Sequence, residues 1–64
     1  MNWNLLKGAV VSRGMNMQDL AEQTGIDNVS LWRRYKAGKV TVLDVKKIKD
    51  ALHLTNDEVL NIFF

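Results

Sequence analysis

The stretch "LAEQTGIDNVSLWRRYKAGK", residues 20–39, decides how the chain is read. Leu20 and Ala21 supply an apolar anchor and a small residue at a helix–helix contact. Four residues after Ala21, Gly25 can adopt positive φ without steric cost. Ile26 is placed to plug the turn, and Leu31, five residues on, anchors the next helix. Asp27 can cap that helix, with Leu31 and Tyr35 on its inner face, and Gly38 stops it. Along it lie Arg33, Arg34, Lys36 and Trp32, with Lys39 just beyond.

Working outward, four more helices are predicted and no strand alternation persists. Residues 3–13 place Trp3, Leu6, Ala9 and Val10 at helical spacing, and Gly14 ends that segment. Asn16 caps a second helix, "MQDLAEQT", which Gly25 closes. Thr41 opens a fourth with Asp44 three residues on, a capping-box variant, and its apolar stripe is Val42, Val45, Ile48 and Leu52. Thr55 and Glu58 form a full capping box for a fifth, whose inner face is Val59, Leu60, Ile62 and Phe63. Gly8 is expected at a close-packing position. Connections of two to five residues leave no room for a linker. The expectation is one all-α domain over residues 1–64, built of five short helices.

Composition sets the outer limits. The chain has 64 residues, enough for one small core. With no cysteine and a single histidine, His53, a disulfide scaffold and a metal site are both disfavoured, and His53 is expected at the surface or in a cap. No apolar run approaches the ~20 residues of a membrane span, and no signal peptide is evident, so a cytoplasmic protein is expected. Paired carboxylates in a cleft, a nucleophile with a base, and a Gly-rich phosphate loop are all missing from the pattern. An enzyme is therefore the least favoured reading, and no cofactor is expected.

Charge is the informative quantity. The net value is only +2. Residues 28–49, however, hold seven cations (Arg33, Arg34, Lys36, Lys39, Lys46, Lys47 and Lys49) against Asp44 alone, which is +6. The rest of the chain carries −4. So steep an excess in one third of a small domain is the footprint of a polyanion partner more often than a solvated face.

The set Leu20-Ala21, Gly25-Ile26 and Leu31 has helix-turn-helix spacing. With these residues the chain resembles the phage Cro/repressor (XRE-type) helix-turn-helix family along nearly its whole length. The match takes in the leading helix ending at Gly14, the "DLAEQTGI" block, the glycine in "YKAGK" and the tail "VKKIKDALHLTNDEVLNIFF". In style it is closest to short stand-alone members from prophages of low-GC Gram-positive bacteria. The resemblance implies a lambda-repressor-like fold and a transcriptional regulator, with double-stranded DNA at a palindromic operator as partner, in the nucleoid of a bacterial host cell. Three positions depart from the family pattern. Met17 stands where Gln opens the second helix, with Gln18 beside it. Val10 and either Lys36 or Tyr35 occupy the places of a usual Arg–Glu pair. Arg34 takes the usual apolar position three after Leu31, with Tyr35 as substitute, which lengthens the recognition helix by one residue.

In that architecture the first half of the third helix enters the major groove. Candidate base contacts are Asn28 to adenine, Arg33 to guanine and Val29 to a thymine methyl, with Ser30 beside them. Helix capping competes for Asn28 and Ser30, and a solvated surface role competes for Arg33. Candidate backbone contacts are Gln18, Arg34, Lys36, Lys39 and Thr41. Trp32 either packs on the fourth helix, the preferred reading, or lies along a sugar-phosphate strand. Leu60, Ile62 and Phe64 are the candidate dimer contact, for a weak homodimer or one formed on DNA. A reading of another class also stands: a small anti-repressor that occupies another repressor's surface.

Overall fold

The computed structural model describes residues 2–64. Five helices follow one another: α1 (Trp3–Ser12), α2 (Met17–Thr24), α3 (Asn28–Ala37), α4 (Val42–Leu52) and α5 (Asn56–Phe63). No strand occurs among the described residues, so the fold is all-α. Each helix starts where a side chain can take up the free N–H groups of its first turn. Asn2 caps α1 and Asp27 caps α3, while Asn16–Asp19, Thr41–Asp44 and Thr55–Glu58 form three reciprocal capping boxes. Gly25 and Gly38 end α2 and α3 in the left-handed region, at φ 71° and 69°. His53 ends α4 there too, at φ 54°, as an exposed cap.

One core draws on every helix. Leu6 and Val10 come from α1, Leu20 from α2, Leu31 and Tyr35 from α3, Ile48 and Leu52 from α4, and Ile62 and Phe63 from α5. Ile26 and Leu54 close it from the two connections. Chiefly α2 packs on α4, and α1 on α5. Among the described residues no helix is long and apolar enough to cross a membrane.

Four packing expectations are corrected. Val42 is 85% exposed. The buried stripe of α4 is Asp44, Ile48 and Leu52, so a capping carboxylate takes the inner position one turn before Ile48. Leu60 is 56% exposed, because Ile62 and Phe63 turn the opposite side of α5 to the core. Gly8 is exposed, and a Cβ there would meet nothing within 4 Å, so it is no close-packing position. Ala21 is half-buried and lies outside the packed core.

Two polar clusters that apolar periodicity could not show lock the termini. The Tyr35 hydroxyl accepts the Asn2 N–H at 3.0 Å and donates to the Ile62 carbonyl. The Asn2 N–H also reaches that carbonyl, at 2.9 Å. Burial pushes the Tyr35 phenol upward from its ordinary value, against a smaller lowering by the Asn2 bond. On the other side Arg13 donates from Nη2 to both Glu58 oxygens at 3.0 and 2.9 Å. Its Nε donates to the Leu52 carbonyl and its Nη1 to that of Ala9. One guanidinium thus joins the end of α1, the end of α4 and the start of α5.

Candidate nucleic-acid interface

Between α2 and α3 the chain turns on three residues, each fixed by local chemistry. Thr24 is buried; its hydroxyl donates to the Leu20 carbonyl at 2.8 Å and accepts the Ile26 N–H at 3.2 Å. Gly25 donates its N–H to Ala21 at 2.8 Å from a left-handed conformation. Ile26 is buried as the plug, and the Asp27 carboxylate accepts the Ser30 N–H at 3.1 Å to begin α3. The direction of α3 is set by a buried threonine and a glycine rather than by Ala21.

Only Leu31 and Tyr35 of the ten α3 residues are buried. At ~100° per residue they lie about 40° apart. The side facing directly away from them holds Val29, Arg33 and Ala37, flanked by Ser30 and Lys36. Val29 and Arg33 are exposed, as a groove-reading role requires. Ser30 is half-buried, and its hydroxyl lies 3.4 Å from the capping oxygen of Asp27. Asn28 is not on this stripe. Three residues before Leu31, it shares that residue's side of the helix, and its Oδ1 is buried with no hydrogen-bond partner among the described residues. The outward set is therefore Val29, Ser30 and Arg33, without Asn28.

The backbone-contact candidates divide by what already holds them. Lys36, Lys39 and Gln18 are exposed; Gln18 sits in the first turn of α2, beside a half-buried Met17 packed on the core. Arg34 is not free in the same sense: its Nη1 bridges both Asp44 oxygens at 3.0 and 3.1 Å. Thr41 is exposed, but its hydroxyl accepts the Asp44 N–H at 3.1 Å. Burial of Asp44 works against its charge. The Thr41 N–H and hydroxyl together with Arg34 outweigh it and hold the carboxyl below its ordinary value of 3.8. The lone anion of residues 28–49 is thereby paired in place, and Arg33, Lys36 and Lys39 remain as exposed cations. Farther along α4, Lys46 and Lys47 are exposed, while Lys49 donates to Asn56 at 3.0 Å.

Trp32 packs on α1. Its ring meets Trp3 of α1 edge to face, with centroids 5.0 Å apart. At the far end of α5, Phe64 is 82% exposed and shares an outer face with Leu60. Ile62 is corrected: it is buried in the core and offers no surface to a second copy. The residues that sequence reasoning missed are Thr24, the Tyr35 hydroxyl and the Arg34–Asp44 pair. Only the last had a signal, since Asp44 is the lone anion among seven cations. No group of three His, Cys, Asp or Glu side chains among the described residues could hold a metal ion. No family model matches the chain, and neither a curated protein nor a solved structure does so.

Proposed function

We propose that the chain is a sequence-specific DNA-binding transcriptional regulator of the Cro/repressor kind. In this reading α2, the Gly25 turn and α3 are a lambda-repressor-like helix-turn-helix, and α3 enters the major groove. The carrying observation is that α3 buries only Leu31 and Tyr35 and turns Val29, Ser30 and Arg33 outward, with Lys36 and Lys39 alongside. A helix with this cationic outer face is suited to lie in a groove lined by phosphates. Arg33 would read guanine by paired hydrogen bonds and Val29 a thymine methyl. Lys36, Lys39 and Gln18 would hold phosphates.

Selection of bound duplexes from a random pool tests this directly. Enrichment of a two-fold-symmetric sequence is expected, with a log–log salt slope of about −2 per bound copy from the Lys36 and Lys39 phosphate contacts. A flat slope and an unenriched pool would sink the reading. The anti-repressor alternative draws on one observation: Val42 and Leu43 expose two apolar side chains at the start of α4. Capture of a repressor without DNA affinity would favour it.

A further inference from the structure

Beside α3, on the flank of its outward face that Lys36 marks, lies a cleft of about 380 Å³ lined by Trp3, Trp32, Tyr35, Lys36 and Gly38. The two indoles meet at 63°, and Trp3 meets the Tyr35 ring at 5.2 Å. The Tyr35 hydroxyl is fully engaged by Asn2 and Ile62, so its ring acts as a fixed wall. Trp32 is 43% exposed although it is among the largest apolar side chains, and burying it further would be favourable. At Gly38 the cleft is open, since a Cβ there would meet nothing within 4 Å.

The charges decide what fits. Three aromatic walls alone would suit a quaternary ammonium. Lys36 stands in the lining, with Arg33 and Lys39 exposed on either side along the chain, and this field repels a cation. An apolar peptide would use the rings and leave the cations idle. Flat rings beside regularly placed cations match the alternation of base and phosphate along a nucleic-acid strand.

We propose that this cleft binds a single nucleic-acid strand. One unpaired base stacks against the exposed indole of Trp32, its phosphate lies at the Lys36 ammonium, and a flanking phosphate lies at Lys39. This goes beyond duplex recognition, because bases paired within a duplex do not present their faces to a protein.

Both tryptophans of the chain line the cleft, so intrinsic tryptophan fluorescence reports on it alone. The test is a low-salt titration of the full chain with a thymidine dodecamer, an abasic dodecamer of equal charge and a blunt duplex. The thymidine strand should quench the fluorescence and bind roughly 5- to 150-fold more tightly than the abasic strand. Trp32→Ala should erase that difference with an unchanged circular dichroism spectrum, and Trp32→Phe should restore most of it. Lys36→Gln should weaken both strands alike and flatten the salt slope by about 0.7. Equal affinity of the wild-type chain for thymidine and abasic strands would overturn the proposal, whatever becomes of the variants. So would equal quenching by the blunt duplex, which would assign the cleft to a duplex backbone. Duplex specificity is read separately at Arg33, so either reading can fail without the other.

Discussion

Arg34 reaches across from α3 to Asp44 at the start of α4, and a half-exposed guanidinium holds a buried carboxylate through one nitrogen at 3.0 and 3.1 Å. Asp44 also accepts the Thr41 N–H, so a single carboxylate closes the α4 cap and fixes the far end of α3. Asp44→Ala should cost about 1–3 kcal/mol in urea unfolding, since it strips a backbone donor and a guanidinium of their acceptor. Arg34→Ala should cost less, about 0.5–1 kcal/mol, because water reaches its half-exposed side of the pair. The sign with pH follows from the lowered carboxyl. Its contribution is complete above its ordinary value of 3.8 and is lost as pH falls through the lower folded value. Arg34→Ala should move that acid loss to higher pH. An acid limb identical to wild type would contradict the pairing.

The Tyr35 hydroxyl gives the opposite limb. Asn2 and Ile62 bond each other as well as the phenol, so Tyr35→Phe leaves both backbone groups partnered. Its cost near neutrality should therefore be modest, about 1 kcal/mol. Because burial raises the phenol, its stabilisation is present below the ordinary value of 10.0 and falls as pH rises through the folded value. Tyr35→Phe should flatten the alkaline decline in melting temperature. A decline of unchanged steepness would assign alkaline unfolding to other groups.

Gly8 offers a clean stabilising change. It lies inside α1 with helical neighbours on both sides and open space where a Cβ would stand. Gly8→Ala should stabilise the fold by about 0.5–1 kcal/mol, through backbone entropy alone. The readout is a higher urea midpoint at unchanged m-value. A loss of stability would mean that α1 needs the glycine for a contact the isolated chain does not show.

Capping residues and glycines made the helices legible almost to the residue. The Asn16, Asp27, Thr41 and Thr55 caps and the Gly25 and Gly38 stops all lie where their local chemistry puts them. Such signals are short-range, so no tertiary knowledge is needed to read them. Side-chain direction was less legible. Val42 and Leu60 are expected on inner faces and are exposed instead, because periodicity gives a helix's faces but not which neighbour covers each. Asn28 is expected in the outward set, but it stands one turn before Leu31 and shares that residue's side of the helix. The hydroxyl of Thr24 and the reach of Arg34 to Asp44 depend on the path of the turn. No linear pattern carries that.

In the proposed reading Arg33 reads a base and Lys39 holds a phosphate. Arg33 stands on the outward stripe of α3, and Lys39 lies past the glycine that ends the helix. Arg33→Ala should cost about 1–3 kcal/mol on the selected duplex and relax preference at one base pair of each half-site. Lys39→Ala should weaken all duplexes alike and flatten the salt slope by about one unit. Equal weakening of selected and random DNA by both variants would remove Arg33 from the groove.

Pairing of two copies is the last expectation, and burial narrows where it can occur. A regulator of the proposed kind and of this size would make few phosphate contacts, which calls for two copies on a symmetric site with half-sites about one helical turn apart. Ile62 is core, which leaves Leu60 and Phe64, four residues apart on the outer side of α5. Two such side chains fall well short of the more than about 1,000 Å² that a stable free interface needs. A monomer or weak dimer that pairs on DNA is therefore expected. Phe64 is highly exposed and bonds the fold only through its N–H to the Leu60 carbonyl, at 3.0 Å. Removing it should leave the melting temperature nearly unchanged. In a gel-shift titration, the truncated chain should fill half-sites as wild type does but lose cooperativity on the full site. Undiminished cooperativity would move the contact elsewhere, and a tight free dimer in sedimentation would show that the interface is larger than these two residues supply.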